Sequence, residues 1–113
     1  MAGSAPDDYL PLSPPMFHVL VSLADDERHG YAILKEVSER TGGRLRLSTG
    51  TLYGIINRLL ADGLAADRST RDGKRVYRLT PFGRDVARAE LVRIEEMAGM
   101  ARATRALRRA PST

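Results

Sequence analysis

The sequence predicts a mainly α-helical fold with one small β-hairpin, and three observations lead to this prediction. Apolar residues recur at helical spacing in four segments of the chain. Two short strand-like segments, 64–70 and 75–80, flank the Asp72-Gly73 pair, a strong signal for a tight hairpin turn. The order is helix, helix, short strand, helix, hairpin and long helix. This order is typical of a winged helix-turn-helix domain followed by a long C-terminal helix.

The first part of the chain contains two predicted helices and a short strand. Ser13 precedes two prolines, as an N-cap residue does, and predicts a first helix over 14–24. A second helix over 30–40 ends at a pair of glycines. Leu45 and Leu47 alternate with arginines, which predicts a short strand over 45–47.

Composition shifts define the domain boundaries. Residues 1–12 are rich in small residues, proline and acid, and predict a flexible N-terminal arm. The winged-helix domain then covers 13–80. Proline after a capping threonine opens the last helix, predicted over 81–108. Residues 109–113 are expected to be a frayed tail.

Length and composition describe one globular domain and exclude several kinds of function. The 113 residues include no cysteine, so we expect no disulfide and no thiol nucleophile. His18 and His29 lack the spacing of metal ligands, and Gly73-Lys74 lacks the preceding glycine of a phosphate-binding P-loop. We therefore expect no enzyme activity, no metal site and no cofactor. Without a signal peptide or a long apolar run, we expect a cytoplasmic protein with no membrane partner.

Positive charge is concentrated in the middle of the chain. The net charge is +4, but residues 1–43 carry −4 and residues 44–84 carry +6. Such a distribution favours a polyanionic partner for the middle third.

The third predicted helix covers residues 48–63, "STGTLYGIINRLLADG", with Ser48 as its cap. It contains Gly50 and Gly54, although a glycine inside a helix costs about 1 kcal/mol relative to alanine. Both glycines lie opposite the apolar stripe. That stripe consists of Leu52, Ile55, Ile56, Leu59 and Leu60.

The bare side of this helix is interpreted as a surface for the DNA major groove, where the third helix of a winged helix lies. Tyr53, Asn57 and Arg58 are the side chains available to touch sugar, phosphate or bases. The free N–H groups around 48–51 are suited to a phosphate. The alternative is that the glycines allow close helix packing inside the fold.

The hairpin is interpreted as a basic wing along the DNA backbone. The alternative is a solvated hairpin that uses charge to protect its sheet edge. Its basic residues are Arg68, Arg71, Lys74, Arg75 and Arg78.

Three segments resemble the PadR family of bacterial transcriptional regulators. They are "HGYAI" (29–33), "STGTLYGIINRLLADGL" (48–64) and "RVYRLTPFG" (75–83). The resemblance implies a dimeric repressor whose second helix, third helix and wing contact operator DNA. Gly54 stands where the family commonly has proline, and Val76 where a second tyrosine is usual.

The resemblance and the residue patterns together give a set of predicted contacts to double-stranded DNA. The resemblance supplies Tyr31, the 48–51 segment, Tyr53 and two wing positions. The full set is Tyr31, Ser48, Thr49, Gly50, Thr51, Tyr53, Asn57, Arg58, Arg71, Lys74 and Arg75.

The last helix carries a heptad-like seam, which predicts pairing with the same helix of a second subunit. The alternative is packing on its own domain. Met97 and Met100 are candidates to line a pocket for a small-molecule effector of unknown identity between subunits. The alternative is that they are ordinary core or interface residues. The predicted interface consists of Ala87, Leu91, Ile94, Met97, Ala98 and Ala101.

The sequence therefore predicts a sequence-specific transcriptional regulator, a repressor that binds a near-palindromic operator as a homodimer. The rival hypothesis is a winged-helix module that binds only other proteins.

Overall fold

The computed structural model describes residues 5–108. Four α-helices and a three-stranded antiparallel sheet make up the fold. The helices are α1 (Pro14–Ala24), α2 (Gly30–Arg40), α3 (Thr49–Ala61) and α4 (Pro81–Ala103). The strands are β1 (Arg28–His29), β2 (Ala65–Ser69) and β3 (Arg75–Leu79).

Side-chain caps fix the starts of three helices. Ser13 Oγ accepts from the N–H of Met16 at the start of α1, at 3.3 Å. Ser48 Oγ accepts from Thr51 N–H before α3, at 3.1 Å. At the start of α4 the hydroxyl of Thr80 accepts from Gly83 N–H, at 2.9 Å. Each cap satisfies a backbone donor that the first helical turn leaves free, which is why these starts were readable from the sequence.

The sheet has the strand order β1-β3-β2. In the hairpin, Ala65 pairs with Leu79 and Ser69 with Arg75. The short strand predicted over 45–47 is wrong, since that segment is not a strand and the third strand is β1 instead. Leu45 and Leu47 are half-buried against the core, which explains why they alternate with exposed arginines. The N–H of Leu45 donates to the side chain of Thr41 at 3.0 Å rather than to a neighbouring strand.

The core lies between α1, α2, α3, the sheet and the start of α4. On α3, the apolar stripe is divided by depth: Leu52, Ile56 and Leu59 are buried, whereas Ile55 and Leu60 are half-buried. The buried stripe anchors α3 and leaves its opposite side exposed. The other buried apolar residues of this cluster are Leu12, Val19, Leu20, Leu23, Ile33, Val37, Leu64, Ala65, Tyr77, Leu79 and Val86.

The base of the wing is tied to the start of α4. Thr80 donates its backbone N–H to the carbonyl of Leu64 at 3.1 Å and its hydroxyl to the carbonyl of Gly63 at 2.7 Å. A Cβ at Gly83 would lie 1.9 Å from the Leu64 carbonyl oxygen. Only glycine therefore lets α4 cross the start of the hairpin this closely.

The expectation of a flexible arm over residues 1–12 is wrong for residues 5–12. Pro6–Tyr9 form a 3₁₀ turn that packs on α4. The Tyr9 ring meets Phe82 edge-on at 5.5 Å between centroids, and Leu12 is buried. Tyr9 and Leu12 outweigh the polar composition because α4 offers an apolar surface to cover.

Helix α4 ends earlier than predicted. Its last residue is Ala103, and a 3₁₀ turn follows over Arg105–Leu107. The last buried residue of α4 is Glu90, and every residue of the helix from Gly99 onward is exposed, so packing within the subunit does not sustain the end of the helix. The predicted tail over 109–113 lies outside the described residues, as do residues 1–4.

Candidate nucleic-acid interface

The side of α3 that faces away from the core is bare. A Cβ built on Gly50 or Gly54 would meet no atom within 4 Å, and Asn57 and Ala61 beside them are exposed. The alternative in which these glycines permit packing inside the chain is therefore wrong. They leave a strip of helix backbone open to a partner.

The N-terminus of α3 lies at one end of this strip. Residues 48–51 are all exposed, and the cap accepts one of the four N–H groups that a first turn leaves free. The remaining free donors, together with the positive end of the helix dipole, create a site that favours an anion.

The strip continues into an open cleft of about 370 Å³ between α2, α3 and the wing. Tyr31, at the second position of α2, is 76% exposed, and Tyr53 of α3 is 40% exposed. Lys74 and Arg75 of the wing line the opposite wall. Two phenol groups and two cations thus converge on one depression, a composition suited to phosphate or sugar oxygens.

The turn of the wing is held in one conformation by Asp72 and Gly73. Gly73 has φ +82°, a left-handed conformation that favours glycine. The hydroxyl of Thr70 donates to the Asp72 carboxylate, and this bond is the main reason why the pKa of that carboxyl lies below its usual value. Since Asp72 is engaged in the turn, its neighbours Arg71 and Lys74 project from it as exposed cations.

Carboxylates of the same chain pair with three of the basic residues at this surface. Arg75 pairs with Asp67 at 2.5 Å, and Arg58 with Asp62 at 3.0 Å. A third pair joins Arg68 to Glu27 at 2.9 Å. Within residues 5–108, Arg71 and Lys74 form no ion pair. Of the three wing residues in the predicted contact set, these two at the wing tip are therefore the ones without a paired carboxylate, whereas Arg75 has one.

All eleven predicted contact residues are exposed, and they fall on three neighbouring elements, α2, α3 and the wing. The sequence patterns did not predict which residues join these elements. His29 Nδ1 lies 3.2 Å from the Arg75 carbonyl and, because a carbonyl only accepts, acts as the donor. The "HGYAI" segment resembles the family, but two residues are too few for a strand pattern, so nothing in Arg28 and His29 predicts β1.

The predicted dimer seam runs along one side of α4. Leu91 and Met97 are 47% and 50% exposed, Ala101 is exposed, and the remaining seam residues are half-buried. Beside the seam an apolar groove of about 420 Å³ opens between α1, β3 and α4, lined in part by Phe17 and Val21. Val86, near the start of the helix, is fully buried in its own domain.

Two further features concern the described part of the chain. No three His, Asp or Glu side chains among residues 5–108 lie close enough together to hold a metal ion. No helix in that range is both long and apolar enough to cross a membrane.

Comparison with known proteins places this arrangement in a family. The family model "Transcriptional regulator PadR-like family" matches residues 19–89. The chain is 43% identical over 84 residues to the transcriptional regulator Rv3488 of Mycobacterium tuberculosis, covering 72% of this chain and 76% of that protein.

Two solved structures share the fold. Bacillus subtilis PadR in complex with operator DNA matches with a TM-score of 0.66 at 20% identity, over 85% of this chain and 62% of that one. Bordetella bronchiseptica BpsR, whose DNA binding is regulated by 6-hydroxynicotinic acid, matches with a TM-score of 0.64 at 25% identity. That match covers 88% of this chain and 68% of BpsR.

These comparisons confirm the winged-helix prediction and the family resemblance. Because the family consists of regulators rather than enzymes, the prediction of no enzyme activity is confirmed as well. The family model covers more than half of the chain, and the mycobacterial relative is similar across most of it. This chain belongs to the PadR-like family of transcriptional regulators.

Proposed function

We propose that the protein is a sequence-specific repressor that binds a near-palindromic operator as a homodimer. Helix α3 lies in the major groove, and the wing lies on the phosphate backbone. The proposed DNA partner implies action in the cytoplasm.

The observation that carries this proposal is the bare side of α3. Gly50 and Gly54 have open space around them, so their lack of side chains serves nothing within the chain. A groove-facing helix benefits from it, because its backbone must come close to the DNA. Asn57 and Arg58 flank this side and are able to pair with adenine and guanine.

The surroundings of α3 support contact with the DNA backbone. Tyr31 and Tyr53 carry hydroxyl groups at the cleft, and Arg71 and Lys74 supply charge at the wing tip. Phosphate contacts fix the position of a protein on the duplex, whereas base contacts select the sequence. We assign the first role to the tyrosines and the wing, and the second to Asn57 and Arg58.

The homodimer is proposed from the exposed apolar seam of α4. Leu91 and Met97 are half exposed on a helix whose other side is already anchored, and a second copy would cover them. A twofold dimer would present two α3 helices about 34 Å apart, one turn of B-DNA. This geometry is the reason for a near-palindromic site.

Repression requires only that the dimer occupy its operator, and we therefore propose it over activation. A small-molecule effector between subunits is a further part of the proposal. Met97 and Met100 are exposed near the seam, and methionine adapts to varied ligands. DNA binding by BpsR, a protein of similar fold, is regulated by 6-hydroxynicotinic acid, and this supports such control here.

The first test removes charge from the wing tip. We expect Lys74→Ala to weaken binding to all duplexes similarly and to flatten the plot of log affinity against log salt by about one unit, since one phosphate contact is lost. The measurement is fluorescence anisotropy of a labelled random-sequence duplex at rising salt.

Arg102→Ala is the matched control, because it removes one positive charge from the exposed end of α4. An unchanged salt slope in Lys74→Ala would remove the wing from the proposed interface. If the wild-type protein shows no salt-dependent binding at all, the rival hypothesis of a protein-binding module gains instead.

A further inference from the structure

Gly30 and Tyr53 approach each other more closely than any residue with a side chain at position 30 would allow. A Cβ at Gly30 would lie 2.3 Å from the Tyr53 hydroxyl oxygen and 2.9 Å from the ring carbon that carries it. Gly30 is the first residue of α2, and Tyr53 belongs to α3. The contact therefore joins two elements that both face the cleft.

Backbone conformation does not explain the glycine at this position. Among residues 5–108 the glycines with positive φ are Gly42, Gly43, Gly63 and Gly73, whereas Gly30 begins an ordinary helix. Alanine would also favour the helix more than glycine does. The space taken by the tyrosine is the remaining physical reason for glycine here.

The contact holds the far end of Tyr53 at the centre of the candidate interface. Gly30, Tyr31 and Tyr53 line the same cleft as Lys74 and Arg75 of the wing. The hydroxyl occupies the space that a side chain at position 30 would fill, so the phenol group lies between α3 and the wing. A phenol that is already in place loses less rotamer freedom when it donates to a phosphate.

We propose that Gly30 is a positioning residue for DNA binding, which acts by holding the Tyr53 hydroxyl toward a backbone phosphate in the cleft. This inference rests on the proposed function. Because the clash in a Gly30→Ala variant falls on the end of a side chain, the ring swings away and the fold survives. DNA affinity then falls while stability does not.

The test is a double-mutant cycle of Gly30→Ala, Tyr53→Ala and the double variant, with Gly99→Ala as control. Gly99 is also helical and has open space around it. We expect Gly30→Ala to weaken binding to a labelled random-sequence duplex about tenfold, the size of one lost contact. In the Tyr53→Ala background the same change should cost less than about twofold.

Two readouts without DNA separate this proposal from a general loss of structure. In NMR spectra of the free protein, Gly30→Ala should shift the ring resonances of Tyr53, and Gly99→Ala should not. Thermal unfolding should give similar midpoints for Gly30→Ala and the wild type. A lower midpoint in Gly30→Ala that removal of the ring in the double variant does not restore would indicate a general loss of structure and overturn the positioning role.

Unchanged ring resonances of Tyr53, or equal losses of affinity in both backgrounds, would overturn the positioning role. Such results with a wild-type protein that binds duplex DNA would leave the proposed function intact. Absence of duplex binding by the wild type would overturn both.

Discussion

At the scale of single residues, the absence of a side chain at four glycines shapes this surface, and the reason for it differs from one glycine to the next. Gly83 lets α4 cross the hairpin, since a Cβ there would meet the Leu64 carbonyl at 1.9 Å. Gly30 accommodates Tyr53. Gly50 and Gly54, by contrast, are surrounded by open space, which the proposed contact with DNA would fill.

Gly54→Leu tests that conclusion directly. Leucine should raise the free energy of unfolding by up to about 1 kcal/mol, because glycine is a poor helix former and nothing in the chain obstructs the new side chain. DNA affinity should fall at least about tenfold, since the leucine would occupy the space of the groove. Chemical denaturation and anisotropy measure the two effects.

Gly99→Leu is the matched control, as it makes the same change at an exposed helical glycine of α4. It should raise stability without weakening DNA binding. Undiminished affinity in Gly54→Leu would mean that α3 does not approach the DNA on this side.

At the scale of elements, the N-terminal turn and α4 are held together by a buried carboxylate. Glu90 is 1% exposed and accepts the N–H of Leu12 at 2.9 Å. It also pairs with Arg93 at 2.5 Å. The hydrogen bond from Arg93 is the largest cause, and the bond from Leu12 a smaller one, of a Glu90 pKa below its ordinary value of 4.5.

The lowered pKa gives this contact a defined pH dependence. A carboxyl whose pKa is lowered by folding stabilises the native state above its unfolded pKa, and the contribution is lost as the pH falls through the folded value. We expect Glu90→Gln to lower the free energy of unfolding at pH 7 by about 1–3 kcal/mol, since the charged bonds are lost. Between pH 7 and the acid range its stability should then fall less steeply than that of the wild type.

Chemical denaturation as a function of pH measures this effect, and Glu95→Gln, an exposed carboxylate on the same helix, is the control. A wild type and a Glu90→Gln variant with parallel pH profiles would show that Glu90 does not hold the N-terminal turn in its ionised form.

At the scale of the whole molecule, the proposed dimer sets the geometry of DNA recognition. Most of the positive charge in the middle of the chain lies on the wing, whereas the exposed apolar residues Leu91 and Met97 lie on α4. The two proposed partners, DNA and a second subunit, therefore use separate surfaces. In the proposed complex each winged helix contacts one half-site, so we expect dimerisation to control affinity for a full operator.

Leu91→Glu should dissociate the dimer without unfolding the subunit, because position 91 is half exposed and a charge would be desolvated only at the interface. Sedimentation velocity at micromolar concentration should show a dimer for the wild type and a monomer for this variant. Val92→Glu introduces the same charge at the next residue. Val92 is 45% exposed, close to the value for Leu91, but lies on another side of α4, so this variant should remain dimeric. A monomeric wild type would contradict the proposed assembly.

The sequence by itself determined the four helices and the hairpin of this protein and the exposed side of α3. Helical periodicity, the capping hydroxyls of Ser13, Ser48 and Thr80, and the Asp72-Gly73 turn are local features, and local conformation follows from residues close in sequence. The strand predicted over 45–47 is wrong because the alternation of leucine with arginine there reflects the half-burial of the leucine side chains. Alternation alone does not indicate that a partner strand lies beside the segment.

Only the tertiary structure decided how distant segments meet. The Gly30–Tyr53 contact, the strand formed by Arg28 and His29, and the seat of Leu12 on Glu90 each join residues 23 to 78 positions apart. Only the helical spacing of Glu90 indicates its burial, because position 90 lies on the same side of α4 as the buried Gly83 and Val86. The distances that fix these contacts arise only when the whole core packs, and no pattern along the chain encodes them individually.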